Sequence, residues 1–197
     1  VLQLGDLLEG LCGAEHLAAK HAREGIDFIR EARFNTPFIM TKGNHDITGP
    51  GAIEAYRQVL LPFMSETEGA KIDAAAFARR QGGTLVAFYD AYEKNSLDWF
   101  AKTLDEAKPK RLIVAIHPPV VPYNARSTWH IYSSPRQAEQ RARLLELLRR
   151  HRAIVLCGHL HKYCLLARRT EHGNFAQLAI SSVAASSDGR PRDEKNG

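Results

Sequence analysis

The stretch Ala153-Ile-Val-Leu-Cys157 runs without a break into Gly158-His159-Leu160-His161. Its first five residues are apolar and β-favouring, so they read as a buried strand. The glycine then permits a sharp turn, and two histidines spaced two apart can face the same way. Polar chemistry set at the end of a buried strand is the pattern of an open α/β sheet, where ligands collect at the carboxyl edge.

Outward from this stretch the pattern recurs three times. Val1–Leu4 leads to Gly5-Asp6, Phe38–Met40 leads to Gly43-Asn44-His45-Asp46, and Arg111–Ile116 leads to His117-Pro118-Pro119. The four strand ends are expected to converge on one edge. They offer one carboxylate, one amide oxygen and three imidazoles, a mixed O/N set that suits Mn, Fe, Co or Zn better than Ca or Mg. Singly, each has an ordinary reading: Asp6 as a cap or turn residue, Asn44 as a turn residue, His117 as a satisfied core histidine. The functional reading rests on the set.

Residues 1–4, 37–40, 84–89, 111–116, 153–157, 163–168 and 175–181 are short apolar runs bounded by Gly, Pro or polar residues, and read as strands. Residues 14–33, 51–61, 95–107 and 135–151 carry apolar residues at three- and four-residue spacing and read as helices, with Ser96 and Ser134 as caps for the last two. The early half alternates strand and helix, whereas the last strands follow one another directly. That mixture predicts layered sheets covered by helices.

A chain of 197 residues, 44% apolar, fits one globular domain, read here as residues 1–185 with a polar tail over 186–197. Its composition excludes collagen, disorder and a disulfide scaffold. Cys12, Cys157 and Cys164 form no C-x-x-C pair and read as buried free thiols. The net charge of +5, from 27 Lys+Arg against 22 Asp+Glu, is spread along the chain. Its one dense basic run, Arg141 to Arg152, interleaves with Leu144, Leu145, Leu147 and Leu148, as the solvated flank of a helix does. Nucleic acid is therefore an admissible but unfavoured partner. No apolar run approaches the roughly 18 residues that span a bilayer, so no membrane partner is expected. Val1 is not a start methionine and reads as a strand already under way, which leaves the compartment open.

Taken together, Gly5-Asp6-Leu7-Leu8-Glu9, Gly43-Asn44-His45-Asp46, the lone His117 and Gly158-His159-Leu160-His161 resemble the blocks of the calcineurin-like metallophosphoesterases. The resemblance implies an α/β fold: a four-layer αββα sandwich of two mixed β-sheets flanked by helices, here lacking its first strand. It implies two divalent metal ions (Mn, Fe or Zn) in the complete protein. Asp6 would bridge them, Asn44, His117 and His159 would complete the second site, and His161 would bind the first. The family's Asp-x-His block is absent from residues 1–5, so at most one well-formed site and little or no activity are expected of this chain. Glu9 stands where the family more often has Asp.

The same resemblance implies hydrolysis of phosphoric mono- or diesters by a metal-activated water with in-line attack. His45 would donate to the phosphate or protonate the leaving oxygen, with its ring oriented by Glu9 or Asp46. Phe88-Tyr89-Asp90 through Trp99-Phe100, and later His117-Pro118-Pro119, look more like the cyclic-nucleotide phosphodiesterase and purple-acid-phosphatase-like branch than the protein phosphatases. In the loop 118–134, Arg126, His130 and Tyr123 are candidates to bind a small phosphoester. An ordinary surface loop around a buried Trp129 is the competing reading. A nuclease of the same superfamily, and a non-catalytic metal- or nucleic-acid-binding relative, are the alternatives for the whole protein.

Overall fold

The computed structural model describes residues 1–180 except Leu11, Ala125, Glu171 and His172; the expected tail 186–197 lies outside the described residues. Two sheets organise the chain. Strands β1 (Leu2–Gln3) and β2 (Ile39–Met40) form a parallel pair. Six further strands are β3 (Phe77–Gln81), β4 (Thr84–Tyr89), β5 (Arg111–Ile116), β6 (Ile154–Cys157), β7 (Cys164–Thr170) and β8 (Gly173–Ala179). They lie in the order β3-β4-β5-β6-β8-β7, parallel through the centre and antiparallel at both edges.

The apolar runs are explained by burial on both faces, as in parallel sheets generally. Leu85, Ala87 and Tyr89 alternate with Val86 and Phe88 along β4. The first set joins Leu112, Val114, Ile116, Val155 and Cys157 under the helices α4 (Ser96–Ala107) and α5 (Ala138–Arg150). The second set, with Ala115 and Leu156, meets Leu4 and Ile39 of the small sheet. Beyond the small sheet, Phe38 and Met40 pack on α1 (Glu15–Glu31) and on the helical segment that runs from Ala52 to Glu68. The layers are thus helix, sheet, sheet, helix, as the family resemblance implied. Only the larger sheet is mixed; the smaller is a parallel pair.

Three local expectations are corrected. The helix expected over 51–61 continues to Glu68: α2 (Ala52–Ala55) passes through a π-turn (Tyr56–Leu60) into α3 (Leu61–Glu68). In that wide turn the Leu61 N–H bonds Tyr56 O, so Pro62 stands at the start of a fresh α segment where its missing donor does no harm. Strand β3 was not expected because Arg79, Arg80 and Gln81 make it polar, as suits an edge strand. Ser96 is not a cap but the first residue of α4, its hydroxyl buried. Ser134 does cap, accepting the Arg136 N–H at 3.3 Å ahead of α5.

Strands β4, β5 and β6 end in register, Tyr89 beside Ile116 and Ile116 beside Cys157. Their carboxyl ends therefore emerge at one level, which is what positions the site.

Candidate metal centre and its pocket

His117 is the hub. Its Nδ1 lies 2.7 Å from the Leu4 carbonyl oxygen, which can only accept, so the neutral ring carries its proton on Nδ1. Nε2 then presents a lone pair. Around that atom, each at 3.1 Å, stand Asp6 Oδ2, Asn44 Oδ1 and His159 Nδ1. Asp6, His117 and His159 could hold a metal ion together, and the Asn44 oxygen shares their hub. Asp6 Oδ2, Asn44 Oδ1, His117 Nε2 and His159 Nδ1 can each turn a lone pair to a common point, in a site where His117 is 1% exposed. The donor set and the hydrogen bond behind His117 thus fit a divalent ion, with the Leu4 carbonyl fixing the ligand's tautomer.

The backbone is strained to achieve this. Asp6 (φ 56°), His159 (φ 67°) and His161 (φ 51°) all adopt the left-handed region, which non-glycine residues enter at a cost. Glycines supply the clearance. A Cβ on Gly43 would lie 2.2 Å from Asp6 Oδ1, and one on Gly5, itself at φ 92°, would lie 2.4 Å from His117 Nδ1.

Electrostatics keep the donors in ligand form. Burial opposes ionisation of Asp6, but the contact with His117 and the His45 N–H hold its carboxyl below the usual range. Burial, then the neighbouring His117, pushes the His159 imidazole down to about 4.

The remaining expected residues take distinct places. His161 lines a cavity of about 220 Å³ together with Asp6, His117 and His159, on the side of β1. His45 donates its backbone N–H to Asp6 Oδ1 at 2.9 Å, and its ring Nδ1 meets the Glu9 main-chain carbonyl. The ring is thus held by a backbone oxygen rather than by a carboxylate. Asp46, fully buried, instead accepts the N–H groups of Asp6 (3.0 Å), Gly43 (2.8 Å) and Leu8 (3.2 Å). It staples the Asp6 loop to the Asn44 loop.

A second cavity, of about 310 Å³, opens on the other side of Asn44 and His159. Of the three substrate candidates, His130 lines it. Tyr123 lies beneath Lys162, whose Nζ is 4.5 Å from the ring centroid, and Arg126 is exposed on a turn built by the Asn124 side chain. Trp129 is half-buried and tilts against His159 at 5.4 Å, within the cavity wall.

Two residues just beyond the end of β4 have no site role in the sequence reading. Asp90 pairs with Lys42 at 2.5 Å, both largely buried, and accepts the Tyr92 N–H at 2.9 Å. Tyr92 also lines the cavity. A signal exists for both: Asp90 and Tyr92 sit directly after a strand end, as the expected ligands do.

The profile of the calcineurin-like phosphoesterases matches residues 1–163. Among solved structures, the chain is similar to a Staphylococcus aureus protein assigned as a 5'-nucleotidase and crystallised with alpha-ketoglutarate, at 16% identity and a TM-score of 0.47. The similarity covers 92% of this chain and 39% of that one. No curated protein sequence matches the chain.

Proposed function

The chain belongs to the calcineurin-like phosphoesterase family, and on that premise we propose that it carries the catalytic residues of a metal-dependent hydrolase of small phosphoric mono- or diesters. One observation carries the reading: four lone-pair donors from four strand ends meet around His117 Nε2. Asp6, Asn44, His117 and His159 hold one divalent ion in this reading, and His161 faces the adjoining cavity as a donor for a second. The mixed O/N set favours Mn, Fe or Zn. Such an ion, when bound, supplies Lewis acidity that neutralises phosphoryl charge and acidifies water.

The chain's own groups do the rest. Asp46 fixes Asp6 through its backbone amide, so the carboxylate is aimed before any ligand arrives. With Nδ1 on the Glu9 carbonyl, His45 keeps Nε2 as its exchangeable position, suited to donate to a phosphoryl oxygen or to protonate the leaving oxygen. The Asp90–Lys42 pair braces the loop after β2 from the end of β4. The cyclic-nucleotide phosphodiesterase and purple-acid-phosphatase-like branch remains the proposed affiliation, and domain limits of 1–185 the proposed extent. The nuclease alternative gains nothing from the basic face of α5, where Arg143 bonds Asp98 and Arg149 bonds Glu146.

Metal content and turnover separate the roles. In the full-length gene product, assayed with Mn²⁺ on bis-p-nitrophenyl phosphate and p-nitrophenyl phosphate, Asp6→Asn is expected to lose both bound metal and turnover. His45→Ala is expected to lose about 100-fold or more in turnover with metal content unchanged. Equal metal loss in the two variants would overturn the assignment.

A further inference from the structure

We propose that the cavity walled by Tyr92, Trp129 and Tyr132 is a slot for a planar, uncharged aromatic group of the phosphoester, of which a nucleobase is the type. The inference rests on the reading that the Asp6 cluster holds the phosphoryl end. Asn44 and His159 belong both to that cluster and to the cavity wall, so a group attached to the phosphoryl oxygen enters the slot directly.

The walls select by chemistry. Three aromatic side chains with large flat faces line a space of about 310 Å³, and among the described residues none of those lining it is Lys, Arg, Asp or Glu. Behind the wall, Arg141 Nη1 lies 2.7 Å from His130 Nδ1. Burial, and then the charge of Arg141, hold the His130 imidazole below its ordinary value. Base–aromatic stacking is the interaction such walls offer.

The slot is also built rather than incidental. The Tyr132 hydroxyl is bonded at 2.7 Å to the buried Tyr89 hydroxyl, and Tyr132 adopts φ 54° to turn inward. Trp129 is set against the His159 ring. Gln137 contributes an amide, with donors and an acceptor for a ring edge. Ala91, Tyr92, Tyr132 and Gln137 are shared with a further cavity of about 620 Å³, whose walls include Glu93, Lys94, Asp98 and Arg143. The slot therefore leads from the cluster to a polar outer chamber.

Calorimetric titration tests the slot apart from the phosphoryl site. Adenosine 5'-monophosphate is expected to bind the Mn²⁺-loaded chain about tenfold tighter than ribose 5-phosphate, the size of one base–aromatic stack. p-Nitrophenyl phosphate is expected to exceed glycerol phosphate in the same sense. Trp129→Leu should bring each pair within about twofold, chiefly by weakening the aromatic member, and Trp129→Phe should restore most of the preference. Binding of the two phosphates within twofold in the native chain, or a Trp129→Leu change that weakens both alike, would overturn the proposal. Adenosine alone, titrated without metal, distinguishes the two readings. If neither phosphate binds the loaded chain, adenosine binding that Trp129→Leu abolishes upholds the slot while the hydrolase reading falls. Absence of adenosine binding in that case overturns both.

Discussion

His117 holds the site because each of its ring nitrogens has one assignment: Nδ1 to the Leu4 carbonyl, Nε2 to the cluster. Asp46 is its counterpart in the backbone, with three amide donors on one buried carboxylate. Asp46→Ala strands those N–H groups in a water-poor site, so a loss of about 2–3 kcal/mol and a clear fall in Tm are expected. A Tm within a degree of the native value would contradict this role. In the metal-free site His159 and Asp6 have native pKa values below their ordinary ones, whereas burial holds Asp46 above its own and works in the opposite sense. For His159 the contribution is fully present above its ordinary value of 6.5 and is lost as pH falls toward about 4, because the unfolded chain takes the proton first. Asp6 acts in the same direction at lower pH. Tm should therefore decline from pH 7 to pH 4; a rise over that range would refute the assignment. At this scale the ligand types were legible, since a strand end followed by Asp, Asn or His needs no tertiary knowledge. The staple was not. A carboxylate beside His45 resembles a catalytic partner until the amides it faces are known.

Between elements, the Lys42–Asp90 pair ties the loop after β2 to the end of β4, where Asp90 also accepts the Tyr92 N–H. Asp90→Asn leaves Lys42 without its counter-charge at 15% side-chain exposure and frees the Asn44 loop. A fall in Mn²⁺ affinity of about tenfold or more is expected, as for partners that orient metal ligands. Unchanged affinity would show that the loop is held by Asp46 alone. Apolar strands such as Arg111–Ile116 were readable to the residue because both faces are buried. The edge strand Phe77–Gln81 and the helix beyond Pro62 were not. Their local sequences argue against the structure they adopt, and packing decides: Phe77 stacks on Phe88 at 4.3 Å, while Phe63 and Met64 are buried in the core beneath the small sheet.

At the scale of the whole molecule, two facing sheets flanked by helices deliver strand ends from both sheets to one place: Asp6 and Asn44 from the small sheet, His117 and His159 from the large. The layers were legible from the alternation of helix and strand, and the convergence from the strand-end rule. The net charge of +5 located no site. The pocket beside the cluster was legible only in part, because Tyr92, Trp129 and Tyr132 come from segments that nothing in the sequence sets face to face. The central claim is that Asp6, Asn44, His117 and His159 hold one ion. Titration of Mn²⁺ into the native chain and into His117→Gln, His45→Ala serving as control, tests it most directly. The expected result is about one equivalent per chain in the native protein and in His45→Ala, and none in His117→Gln. Undiminished binding by His117→Gln, or loss of binding in His45→Ala, would contradict it.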